Sequence, residues 1–234
     1  MANTLKVISA LLSYPSQALI DAGPELREVL AADKNLGKKE KAKLDALIDD
    51  ICALNVYDAE ERYVQLFDRT RTLSLHIFEH VHGESRDRGQ AMVDLATMYE
   101  AQGFEIDAKE LPDYIPLFLE YLSTQSGEEV HNLLGQTLHI MTALRERLQK
   151  RDSIYANALC VLEAISGTKA DPKAVAEILE MPEDDPDDLE ALDEIWEEEA
   201  VTFGQNAGEG QCGPDKLRTQ LRAYKRRPDQ QPNI

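Results

Sequence analysis

The sequence predicts an all-α helical bundle, and three observations predict it. Apolar residues recur at helical spacing in segment after segment from Leu5 to Leu179. Leu, Ala and Glu outnumber Val and Ile, and aromatics make up only 6% of the chain, so strand formers are thin. No period-two alternation of useful length appears, and no internal repeat. With 43% hydrophobic and 29% charged residues over 234 positions, the chain can bury a core without disulfide or metal staples.

Leu5, Ile8, Leu11 and Leu12 form a first apolar stripe that ends before Pro15. A second helix is predicted from Ser16 to Ala32, with Leu19, Leu26, Val29 and Leu30 inward. Leu44, Leu47, Ile48, Ile51 and Leu54 mark a third. Asp58 is a candidate cap for a fourth, which carries Tyr63, Val64, Leu66 and Phe67. Residues 68–86 then crowd charged and imidazole side chains together, and Gly83 suggests a break. Asp87 with Gln90 reads as a capping box before Met92, Leu95, Ala96 and Tyr99, and Gly103 stops that helix. Another begins near Pro112 and Asp113, with Pro116 in the permissive first turn. The longest runs from about Glu128 to Gln149. One more, bearing Ile154 to Ile165, ends at Gly167, and Val175, Ile178 and Leu179 mark a short last one. The organisation expected is a helical domain over 1–180, an acidic helix over 181–203 docked on or extending it, and a flexible tail over 204–234, basic near its end.

From Glu183 to Glu199 eleven of seventeen residues are acidic and none is basic. That segment carries −11 of the formal net charge of −19, although Leu189, Leu192, Ile195 and Trp196 keep helical spacing. So acidic a chain repels phosphate backbones and anionic lipid, which argues against nucleic acid and membrane partners and for a basic client. Cys52, Cys160 and Cys212 are scattered without a C-x-x-C pair, so a disulfide framework is not expected and a reducing compartment fits. Met1 to Ser16 reads as an amphipathic helix rather than a signal peptide, and no apolar run reaches transmembrane length. A soluble, cytoplasmic protein is expected.

His76-Ile77-Phe78-Glu79-His80 spells H-x-x-E-H, the inverted zinc-protease pattern. On a helix, His76 and His80 would lie one turn apart with Glu79 as general base. Two histidines and a glutamate in five residues also arise by chance, no later motif supplies a third ligand, and Gly83 would cut the helix short. The wider run admits two readings: ion pairs of Asp68, Glu79, Glu84 and Asp87 with Arg69, Arg71, Arg86 and Arg88 that tie a loop down, or a polar recognition surface at a helix junction. Phosphate-binding glycine motifs, a nucleophile elbow and a calcium loop are all absent from the sequence.

The run Leu66-Phe67-Asp68-Arg69, then Ser74-Leu75, then Phe78-Glu79-His80-Val81-His82-Gly83-Glu84-Ser85-Arg86-Asp87-Arg88-Gly89-Gln90-Ala91-Met92, resembles the signature of the nitrate reductase delta subunit family, the nitrate reductase molybdenum cofactor assembly chaperones. Glu110-Leu111-Pro112-Asp113 with Pro116 and Leu119-Glu120-Tyr121-Leu122 is similar to its second block, and Trp196-Glu197-Glu198-Glu199 with Phe203 to its C-terminal block. Together these cover most of residues 4–205; the tail after Gly204 matches poorly. The resemblance implies a helical chaperone, not an enzyme and with no cofactor of its own. Its implied partner is the catalytic alpha subunit of a membrane-bound respiratory nitrate reductase, including that subunit's N-terminal peptide, with molybdenum cofactor biosynthesis proteins as further candidate partners. The implied work is to hold the alpha subunit in the cytoplasm, enable cofactor insertion and delay membrane docking. The blocks nominate Phe67, Arg69, Arg71, Glu79, His80, His82, Gly83, Arg86, Arg88 and Asp113 as partner-binding residues. The first block does not require histidine at position 76, which weakens the competing zinc metallopeptidase reading.

Overall fold

A computed structural model of the chain describes residues 1–81, 86–106 and 110–181, with backbone alone at positions 86 and 87. The acidic helix and tail expected beyond Met181 lie outside the described residues. The first predicted stripe folds as α1 (Ala2–Leu12), which buries Leu5, Ile8, Leu11 and Leu12. Ser13 turns extended before Pro15, and Ser16 caps the next helix by accepting from the Leu19 amide at 3.2 Å.

The single helix expected from Ser16 to Ala32 is two: α2 (Gln17–Asp21) and α3 (Gly23–Ala32). Pro24 is the reason. It lacks an amide hydrogen and its ring would strike the carbonyl one turn back, so it fits only in the first turn of a new helix. Gly23 is required by close approach, since a Cβ there would stand 2.6 Å from Cys52 Sγ. That contact seats α3 on α4 (Lys38–Ala53), whose Leu44, Leu47, Ile48 and Ile51 are buried as predicted.

The cap of α5 (Val56–Tyr63) is Asn55 rather than Asp58. Asn55 Oδ1 accepts from the Asp58 amide at 3.0 Å, and its Nδ2 donates to the Asp58 carboxylate at 2.6 Å. Asp58 is thus the third residue of a reciprocal capping pair, a role its proximity to the helix start does not distinguish from the cap itself. After Tyr63 the chain widens into a π turn over Val64–Asp68, closed by the Arg69 amide on the Val64 carbonyl at 3.1 Å.

Helix α6 (Arg86–Ala101) starts one residue before the Asp87 expected to cap it. Helix α7 (Ile115–Ser123) starts two residues after Asp113, with Pro116 in its first turn. Ser126 caps α8 (Gly127–Lys150), the longest helix described. Helix α9 (Ala156–Ser166) ends at Gly167, whose φ of 67° is the left-handed conformation that glycine adopts freely. Asp171 caps α10 (Pro172–Leu179). Helix α8 packs mainly on α9, and also on α10 and α7; α1 lies along α7 and α3, and α4 on α9. No strand is named among the described residues; one antiparallel bridge pairs His76 with Tyr114.

After the π turn, residues 69–81 run through the bundle without regular α-helix. They make two short 3-10 turns, Arg71–Leu73 and Ile77–His80, and bury Leu73, Leu75 and Ile77. A buried stretch of this kind must bond its backbone to something other than itself. Arg147, on the inner face of α8 and 1% exposed, supplies part of the answer. Its Nη1 donates to the Thr72 carbonyl at 2.8 Å and its Nη2 to the Ile178 carbonyl at 2.7 Å, tying the crossing segment and α10 to one guanidinium. Arg147→Ala removes two charge-assisted bonds, at about 1.5–3 kcal/mol each, and strands the buried Thr72 carbonyl, while the Ile178 carbonyl keeps the Met181 amide at 3.3 Å. We expect a loss of about 3–5 kcal/mol in urea unfolding, whereas a loss below about 1 kcal/mol would mean that water replaces the bridge.

Candidate functional site

The residues of the crossing segment are held from three directions. From below, Phe67 lies between Tyr63 and Tyr155, with ring centroids 4.9 and 5.1 Å away, and is itself buried. The Tyr63 hydroxyl donates to the Leu12 carbonyl at 2.9 Å and meets the Tyr114 hydroxyl at 2.8 Å. Burial pushes the Tyr63 hydroxyl far above its ordinary range and the Tyr114 hydroxyl up to about 12, so both stay protonated at any physiological pH.

From the side comes Asp113, which is 0% exposed. Its Oδ2 accepts from the Phe78 amide at 3.0 Å and its Oδ1 pairs with His76 Nδ1 at 3.1 Å, while its backbone carbonyl accepts from the Ile77 amide at 3.0 Å. The Ile115 amide returns the pairing to the Leu75 carbonyl at 2.8 Å. A carboxylate this buried is tolerable because its oxygens are bonded. Burial alone would lower the His76 pKa, but the hydrogen bond and charge of Asp113 outweigh it and leave it raised. From within, His80 is 3% exposed and its Nε2–H donates to the Ser74 carbonyl at 2.8 Å. Burial lowers the His80 pKa, and the nearby Arg147 charge adds to that, so this imidazole is neutral at pH 7.

The rest of the set faces outward. Arg69 and Arg71 are exposed, and half-buried Arg88 on α6 donates through Nη2 to Glu79 at 3.0 Å. Of the ten nominated residues, Phe67, His80 and Asp113 therefore lie under the surface, where they shape the segment, while Arg69, Arg71, Glu79 and Arg88 present its polar face. His82 and Gly83 lie outside the described residues, as does the Arg86 side chain. Tyr63, Tyr114 and Arg147 were missed by sequence reasoning. For Arg147 a signal existed: it stands three residues after Leu144 on the apolar stripe of α8, where an arginine needs buried acceptors.

The geometry of the described residues lends the metal reading of H-x-x-E-H no support. His76 is extended and precedes the 3-10 turn of residues 77–80, so the α-helical turn that would set His76 and His80 on one face is not formed. His76 is bonded to Asp113 and His80 to Ser74, and among the described residues no three His, Cys, Asp or Glu side chains gather at ligand spacing.

The family model described as nitrate reductase delta subunit matches residues 31–161, a span that contains the whole crossing segment and its supports. The chain belongs to the nitrate reductase delta subunit family. It is 41% identical over 222 residues to the nitrate reductase molybdenum cofactor assembly chaperone NarJ of Escherichia coli (strain K12), covering 94% of this chain and 92% of NarJ. It is 36% identical over 199 residues to NarW of the same organism, covering 85% and 83% of the two chains. The solved structure of a redox enzyme maturation protein from Archaeoglobus fulgidus shares its fold, with a TM-score of 0.53 over 72% of this chain and 94% of that one at 17% identity. As a delta subunit family member it is a NarJ-like chaperone and not an enzyme, and no helix among its described residues is long and apolar enough to cross a membrane.

The His76–Asp113 pair predicts a signed pH effect. With the folded pKa above the ordinary 6.5, the stability that His76 protonation contributes is complete below 6.5 and is lost as pH rises through the folded value. His80 acts oppositely: its contribution is complete above 6.5 and is lost as pH falls through its lowered value. A proton NMR titration should place His76 above 6.5, and Asp113→Asn should move it below, because burial then acts without the carboxylate. A His76 pKa unmoved by Asp113→Asn would refute the pairing.

Proposed function

We propose that this protein is the assembly chaperone of a membrane-bound respiratory nitrate reductase. In this reading it binds the catalytic alpha subunit in the cytoplasm, including its N-terminal peptide, keeps that subunit open to molybdenum cofactor insertion, and delays membrane docking until it is complete. The observation that carries the reading is 41% identity to NarJ over 94% of the chain. Physical chemistry supports it: an acidic body suits a basic, partly apolar peptide, and a helical bundle suits helix-in-groove recognition. The polar face of Arg69, Arg71, Glu79 and Arg88 is the client surface in this proposal: the acidic body steers the basic client at long range, while at contact the arginines would meet carboxylates and carbonyls of the client and Glu79 its basic groups. Phe67, His80 and Asp113 serve it indirectly, by holding the segment rigid so that binding costs little ordering entropy. Cofactor biosynthesis proteins would meet the complex through the client.

Magnitudes separate a client surface from a brace. The Glu79–Arg88 pair is partly exposed, and such pairs contribute about 0–1 kcal/mol to folding. A charged group truncated within a desolvated interface costs about 2–5 kcal/mol of binding. Arg88→Ala should therefore leave thermal unfolding nearly unchanged while weakening capture of the alpha subunit's N-terminal peptide; intact binding with a markedly lowered midpoint would make the segment purely structural. In cells, deleting the gene should leave the nitrate reductase polypeptides made but inactive, with cofactor missing from the alpha subunit. Full activity and cofactor occupancy in that strain, with no paralogue present, would overturn the proposal.

A further inference from the structure

Five lysines fall within ten residues at the corner between α3 and α4: Lys34, Lys38, Lys39, Lys41 and Lys43. Lys34, Lys38 and Lys39 are exposed; Lys41 and Lys43 are half-buried. Lys41 Nζ donates to the Ala31 carbonyl at 2.9 Å, and among the described residues none of the other four reaches a carboxylate at ion-pair distance. The acids nearest in sequence do not cancel them. Asp33 is engaged by the Met1 amino group, the Thr4 hydroxyl and the Asn35 amide, which leaves Glu40 within the run and Asp45 two residues beyond it. Residues 34–43 thus carry +4, five lysines against one glutamate, in a chain whose net charge is −19.

Local physics does not explain this choice of residues. Lys38 and Lys39 open α4 and Lys41 follows one turn in, behind a Gly37 cap that offers no side-chain bond. The positive end of a helix dipole favours Asp and Glu there and disfavours lysine, so folding alone would select the opposite charge. We propose that the lysine corner from Lys34 to Lys43 is a docking surface for an anionic lipid membrane, met peripherally and without insertion.

The chemistry of the patch selects this partner. Lysine is a hydrated point charge on a mobile stem, suited to a diffuse sheet of phosphate rather than to shaped recognition. Specific protein interfaces are depleted in lysine and enriched in arginine and aromatics, and residues 34–43 hold neither. Without an aromatic there is nothing for single-stranded bases to stack on, and without an arginine no fork for a guanine edge. The net charge argues against lipid only at long range. At physiological ionic strength fields decay over about 8 Å, so a membrane touching this corner meets the lysines and is largely screened from the acidic remainder. Each lysine near an anionic surface strengthens binding roughly five-fold. The inference is independent of which client the chaperone serves.

The test uses the full chain with vesicles of phosphatidylcholine containing phosphatidylglycerol, against phosphatidylcholine alone, read by co-sedimentation across a salt series. The native chain should bind the anionic vesicles only, and lose them as salt rises. The variant K34Q/K38Q/K39Q should bind on the order of 100-fold more weakly. Its thermal midpoint should be unchanged or slightly higher, since unfavourable charges leave a helix start. Lysine-to-arginine replacement at the same three positions should retain binding. No binding by the native chain, or equal binding by the glutamine variant, would overturn the proposal. So would binding to duplex DNA or heparin with none to vesicles, which would assign the corner to another polyanion. Capture of the client peptide by the glutamine variant, measured in parallel, separates a failure here from a failure of the chaperone reading.

Discussion

The fold depends on how one buried, non-helical segment satisfies its backbone. Residues 70–80 run beneath the bundle surface with Leu73, Leu75 and Ile77 inside, yet make only single-turn bonds of their own. Every carbonyl and amide left over must find a partner in the low-dielectric interior, where an orphan costs about 1–3 kcal/mol. Arg147, Asp113 and His80 supply those partners from α8, from the approach to α7 and from the segment itself. Each is a group that would be costly to bury alone.

That arrangement explains why the candidate site is both buried and exposed. A loop offered to a partner by solvent-facing anchors would be mobile, and ordering it would subtract from affinity. Here the anchors are Phe67, His80 and Asp113, and the groups offered outward are Arg69, Arg71, Glu79 and Arg88. In the proposed function the inner set would shape the surface and the outer set would supply its chemistry. Substitutions in the two sets should not be compared as if they measured one quantity.

Charge is organised on a second scale. The acidic excess repels polyanions at a distance, but within a Debye length only neighbouring groups count. A lysine-rich corner at the start of α4 can therefore have a partner that the net charge argues against. Net charge is a sound guide to solubility and long-range steering and a poor one to what a particular face will touch.

What the sequence determined by itself is what short-range physics sets. Helical period and caps act within about four residues, and so α1, α4, α8 and α9 are legible from their apolar spacing and from signals such as Gly167. Pro24 was an equally local signal, and it divides the helix expected from Ser16 to Ala32. The family was legible too, because the run from Leu66 to Met92 keeps its residue types in order. What only the tertiary structure decided is the role of each polar residue. Asp113 stands where a helix start is expected, yet its carboxylate serves His76, 37 residues earlier. Arg147 bonds a carbonyl 75 residues away, and the histidines that spell a zinc motif are turned to different partners. A polar side chain's role depends on which unsatisfied group the fold brings within 3 Å of it, and that proximity is created by the packing of distant helices rather than by any local pattern.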